Sequence, residues 1–127
     1  MPERIRHPDP SLLAACIICH GITTSAKRMT VLDCLNCVQP YLFNRHDARE
    51  IADSMFLCRI AHLSDLCRIL STIHQNSYFR QSDTLMIIGE AELDDPTGRR
   101  REMVHRAMTR IEARHCTDVI SVDAVEG

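Results

Sequence analysis

At 127 residues, with 45% apolar and 25% charged side chains, the chain has the size and make-up of one globular domain. It is too apolar for wholesale disorder, and no run approaches the roughly 18–20 apolar residues of a membrane span. A formal charge of −2 excludes a global attraction to polyanions, so any nucleic-acid contact must come from a local basic patch.

In chain order, residues 1–10, MPERIRHPDP, read as an extended arm, because Pro2, Pro8 and Pro10 remove donors and push their predecessors away from helix. The arm shows no export signal. Residues 11–45 contain SLLAACIICHG, either a short helix capped by Ser11 and stopped by Gly21 or an apolar strand leading into a metal knuckle. Within residues 47–75, DARE places Asp47 and Glu50 as a capping-box variant. Ile51, Met55, Cys58 and His62 follow at helical spacing and predict a helix over about 48–62. Leu66, Ile69, Leu70 and Ile73 predict a second helix capped by Ser64, packed on the first. The apolar run TLMIIG (Thr84 to Gly89) reads as a strand, and residues 97–116 as an amphipathic helix with Val104, Ala107, Met108 and Ile111 on one face. Residues 117–127, TDVISVDAVEG, read as a terminal strand or an extended tail.

The chemistry concentrates in CIICHGITTSAKRMTVLDCLNC. Cys16, Cys19, Cys34 and Cys37 form two Cys-x-x-Cys pairs with the ligand number, softness and spacing of a tetrahedral zinc site. Seven cysteines, an odd number, argue against a secreted disulfide framework and for reduced thiols or metal. In spacing, the stretch resembles two-pair zinc fingers of the treble-clef kind, as in nuclear receptor modules, in which the second pair opens a helix. That resemblance implies a helix beginning near Cys34 in CLNCVQPYLF. The knuckles lack the Cys-Pro-x-Cys-Gly sequence common in such fingers. Two other readings compete for the same residues. In a helical hairpin the four thiols are i, i+3 core positions. CIICH is also the c-type haem attachment pattern, with His20 as proximal ligand and Met29 or Met55 as the distal one.

Three further patterns bear on partners. Arg99, Arg100 and Arg101, with Arg106, Arg110 and Arg114 at helical spacing, make a basic stripe that could contact nucleic-acid phosphates, interrupted by Glu102 and Glu112. VISVD resembles a SUMO-interacting motif, which implies that Val119, Ile120 and Val122 fill apolar positions on a SUMO-like partner while Asp123 meets its basic residues. SLLAACIICH resembles the helix with which substrate receptors dock elongin C, with His20 where an apolar residue is usual. No nucleophile elbow, thioredoxin-like βαβ context or phosphate-binding glycine loop appears, and only four glycines are present.

These readings lead to an expectation: an α-rich domain with a minor β component, in which a zinc-finger-like segment over residues 11–45 packs on a helical body. The expected function is that of a non-enzymatic, zinc-binding regulatory or adaptor protein of the cytoplasm or nucleus, without a membrane span. It would contact a protein or nucleic acid, as small cysteine- and arginine-rich viral accessory proteins do by class analogy. The alternatives are a metal-free helical interaction domain with buried thiols and a c-type haem electron carrier.

Overall fold

The computed structural model describes residues 1–76, 83–115 and 117–125. It overturns the α-rich expectation: the body is a five-stranded, wholly parallel sheet covered on both faces. The strands are β1 (Glu3–His7), β2 (Met29–Asp33), β3 (Met55–Arg59), β4 (Thr84–Ile88) and β5 (Asp118–Ala124). The helices are α1 (Pro10–Ser25), α2 (Val38–Phe43), α3 (Ala48–Asp53), α4 (Leu63–Gln75) and α5 (Arg99–His115). Across the sheet the order is β1-β5-β4-β2-β3.

The core shows why the sheet forms. All five residues of β4 are buried, with Met86 and Ile88 facing one side and Leu85 and Ile87 the other. A strand buried on both faces reads as a continuous apolar run, as central strands of parallel sheets do. Met86 and Ile88 meet α1 (Ile18, Ile22), α2 (Val38, Leu42) and α3 (Ile51). Leu85 and Ile87 meet α4 (Leu66, Leu70) and α5 (Val104, Met108, Ile111).

Several expectations change with the sheet. Residues 3–7 are an edge strand rather than an arm. Residues 48–62 are not one helix, since α3 ends at Asp53 and Met55–Arg59 pair with β2 in parallel register. The four-residue apolar run Met55 to Cys58 fits a strand as well as a helix turn, and pairing to a distant strand decides between them. Residues 11–45 are not a finger packed on helices but most of α1, the strand β2, a loop and the short helix α2, built onto the sheet. The helix α1 runs through Gly21, and its N-cap is Asp9, whose carboxylate accepts from Leu12 N at 3.1 Å. No helix begins at Cys34; a loop follows β2, and α2 starts at Val38 with Pro40 inside its first turn, where the missing N–H costs no bond. The segment 117–127 is no tail: up to Ala124 it is β5, paired with both β4 and β1, and its last two residues lie outside those described.

Candidate functional site

In an open parallel sheet, ligands gather beyond the carboxyl ends of the strands where successive connections leave towards opposite faces. Here that place lies between β2, whose chain turns to α2, and β4, whose chain turns to α5. Its floor is held by Asp33, only 2% exposed, whose carboxylate accepts from Leu35 N (3.1 Å), Cys37 N (2.9 Å) and Val38 N (3.1 Å). Asp33 thus takes the place of a side-chain cap on α2. Leu35 fills the crevice and presses on Gly89. A Cβ at Gly89 would stand 2.2 Å from Leu35 Cγ, and its φ of +76° is one that glycine adopts without strain.

Next to the crevice lies a charged group. Arg101, in the first turn of α5, donates to the backbone oxygens of Glu90 (2.9 Å) and Leu93 (2.6 Å). The buried Glu90 carboxylate has Oε1 at 3.4 Å from the Arg101 guanidinium and 3.3 Å from His105 Nε2. Asp123 closes the group by accepting from Ala91 N at 3.0 Å. Burial pushes the Glu90 carboxyl above its ordinary range, against the pull of Arg101. Burial, with Arg4 and Arg101 nearby, pushes His105 down. At the β1–α1 turn the chain reads His7-Pro8-Asp9-Pro10, and the Asp9 carboxylate itself takes the helix N-terminal amide that a phosphate would use.

The structure separates the four thiols of the expected zinc site. Cys37 touches the Ser11 hydroxyl near the start of α1, whereas Cys16 and Cys19 lie five and eight residues further along that helix, roughly 7 and 12 Å on. Two thiolates on one zinc stand only about 4 Å apart. Cys34 and Cys37 both lie in the loop after β2 but pack against different clusters, the first towards α4 and α5 and the second towards α1. Burial pushes the Cys34 thiol up to about 12, with Asp33, Glu90, Asp123 and Cys37 adding to the rise, so the thiol holds its proton. Cys19 is buried beside Arg45 and Asp47, and Cys16 is exposed. Among the described residues, no group of three or more His, Cys, Asp or Glu side chains is placed to hold a metal ion.

The six arginines of α5 divide. Arg101 is committed to the backbone of the preceding loop, and Arg106 pairs with Glu102 at 2.6 Å. Arg99, Arg100, Arg110 and Arg114 are exposed, and Met103, 55% exposed, lies between Arg99 and Arg106 on the same stripe. The SUMO-like segment has no free edge. Val119 is buried towards α5, Val122 is buried and Ile120 half-buried towards α1, and both edges of the strand are paired.

One region unnoticed in the sequence remains open. Among the described residues, the α4–α5 pair leaves the β2–β3 end of its face uncovered, and a groove of about 690 Å³ runs there beside α4. Leu32, Met55, Phe56, Cys58, Ile69 and Ile73 supply its apolar wall. At its amino-terminal end Arg28 pairs with Asp83 at 2.9 Å, and Arg68 on α4 pairs with Asp65 at 2.7 Å. Phe56 is 68% exposed on a strand that, among the described residues, has no neighbour on its outer side. The sequence signal was the run MFLC between Ser54 and Arg59, absorbed into a helical spacing that the fold does not use.

Compared with protein-family models and with curated proteins, the chain matches none. Among the described residues no helix is long and apolar enough to cross a membrane.

Proposed function

We propose that this chain is a non-enzymatic protein-interaction domain, of the regulatory or adaptor kind, that captures an extended partner segment along β3. The observation that carries the reading is an edge strand, unpaired on its outer side among the described residues, with four consecutive apolar residues and its Phe56 exposed beside an apolar groove. Proteins blunt such edges with charge, proline or cover unless the edge is used. Strand addition uses the same parts, since the edge supplies backbone bonds and the groove receives alternate side chains. The carboxyl-end crevice favours the reading too, because Leu35 occupies it and burial raises both adjoining thiols, Cys34 and Cys37.

A selection from a random peptide library on the immobilised protein tests it. Selected peptides should be extended and apolar at alternate positions, and on binding should slow hydrogen exchange at the Met55, Leu57 and Arg59 amides. Binders that protect only other elements would defeat the proposal.

A second reading rests on Arg99, Arg110 and Arg114, which make no ion pair among the described residues and share a helix face with Arg106. That stripe suits a polyanion. Changing Arg106, Arg110 and Arg114 to Gln should weaken binding to single- or double-stranded nucleic acid and flatten its salt dependence. Equal affinity in the variant would assign the stripe to solvation.

A further inference from the structure

Resting on the β3-edge reading, the geometry points to a specific occupant: we infer that the edge pairs with the same strand of a second copy of this chain, antiparallel about a two-fold axis at Leu57.

The backbone of β3 sets which groups are available. Met29 N donates to Ser54 O at 2.9 Å and Ile60 N to Asp33 O at 3.0 Å, so the even-numbered residues turn their amides and carbonyls towards β2. Met55, Leu57 and Arg59 therefore turn theirs outward. Among the described residues, these outward backbone groups meet just one polar group, the Cys58 thiol at 3.9 Å from the Arg59 carbonyl. Antiparallel pairing needs outward residues opposite outward residues. Centred on Leu57, it places Met55 opposite the second copy's Arg59, Leu57 opposite Leu57, and Arg59 opposite Met55. All three outward residues are then satisfied at once, whereas centring on Phe56 uses only Met55 and Leu57 of the strand.

The side chains suit the same register. Arg59 is the one charge in β3, and it meets a methionine rather than its own copy, so no like charges oppose. The Arg59 side chain lies on the face opposite the groove, where it donates to the Gln39 side-chain oxygen on α2. On the groove face, Phe56 comes opposite the second copy's Cys58 and diagonal to its Phe56. The exposed ring is thereby covered, and the two grooves become continuous. An isologous contact needs such a self-complementary patch.

The first experiment is sedimentation equilibrium of the full chain under reducing conditions, from micromolar to submillimolar concentration. The expected mass rises to twice the 14.5 kDa of one chain. Phe56→Lys sets two cations side by side at the axis. Arg59→Pro removes an outward amide that β2 does not use. Each should weaken association about tenfold or more with an unchanged thermal midpoint, and Phe56→Lys at an exposed site serves alone if the proline variant does not fold. The second experiment reads register. A non-hydrogen-bonded antiparallel pair has Cα atoms about 4.5 Å apart, within disulfide reach. Mild oxidation should therefore link Phe56→Cys covalently into a dimer, and adding Cys58→Ser should abolish the link. A wild-type mass of one chain throughout, or a dimer untouched by both edge variants, would overturn the inference. Monomers whose β3 amides are still protected by library peptides would overturn the second copy while leaving the edge reading intact.

Discussion

The sheet ends in two strands of opposite character. In β1, four of five residues are charged or histidine (Glu3, Arg4, Arg6 and His7), and only Ile5 is apolar. The strand is also tied at both ends, by the Met1 ammonium on Glu112 at 2.8 Å and by Val125 N donating to His7 O at 3.2 Å. In β3 the proportions reverse: Met55, Phe56, Leu57 and Cys58 precede a single Arg59. Among the described residues both strands have one free edge, yet only the first carries the charges that discourage pairing. An edge is therefore defined by which side chains flank the free backbone groups, and the same fold can close one end while leaving the other receptive.

The largest expected effect breaks the β1 side outright. Ending the chain before Thr117 removes β5, which joins β1 to β4 and buries Val119 and Val122. Each buried valine contributes on the order of 1.5–3 kcal/mol, and the lost ladders add to it, against a total of about 5–15 kcal/mol. The truncated chain should be unfolded by circular dichroism. A cooperative melt near that of the full chain would show that β1 and β5 are appendages.

Gly89→Ala strikes the seam between the two halves. The new methyl would collide with Leu35 and the positive φ would be strained, for a loss of about 2–4 kcal/mol in chemical denaturation. A loss below about 1 kcal/mol would mean that the seam relaxes and does not hold the halves in register.

Phe56→Lys sharpens the comparison by giving β3 the charge pattern of β1. Because the ring is 68% exposed, folding stability should move by no more than about 0.5 kcal/mol while peptide capture at the edge disappears. Retained capture would place binding elsewhere.

Acid should discriminate between the ends. The β1 side holds His105 below its ordinary 6.5, so the unfolded chain binds more protons as pH falls through that value. Stability at this end is full above pH 6.5 and declines below it. The raised Glu90 acts in the opposite sense, costing stability as pH rises through its ordinary 4.5. His105→Gln should flatten the loss of thermal midpoint between about pH 6.5 and 5. An unchanged slope would remove His105 as its source.

The smallest effect concerns metal. With Cys34 and Cys37 packed against different clusters and Cys16 and Cys19 further along α1, a chelator should leave the thermal midpoint where it is. A fall on chelation would restore the four-thiol site and assign the order of the chain's first third to a metal.

Local signals in the sequence were of unequal worth. The strand at TLMII and the helix over residues 99–115 correspond to uninterrupted patterns, one apolar on both faces and one with a stripe at helical spacing. The strand β1 was not legible, since Glu-Arg-Ile-Arg-His holds a single apolar residue and the flanking Pro2 and Pro8 resemble those of an unstructured arm. The paired cysteines misled because spacing records only the distance along the chain. Whether i and i+3 thiols converge depends on the turn between them, and here one pair sits on a helix and the other straddles a strand end.

Apolar pattern by itself determined a strand at Thr84 to Ile88 and an amphipathic helix with a basic side, because each depends on neighbours within a few residues. The tertiary structure alone decided that Met55 to Arg59 is a strand, that Val119 to Asp123 lies inside the sheet, and which edge stays bare. Those outcomes rest on hydrogen bonds between segments far apart in the chain, and a parallel ladder leaves no mark in the local spacing of the residues that form it.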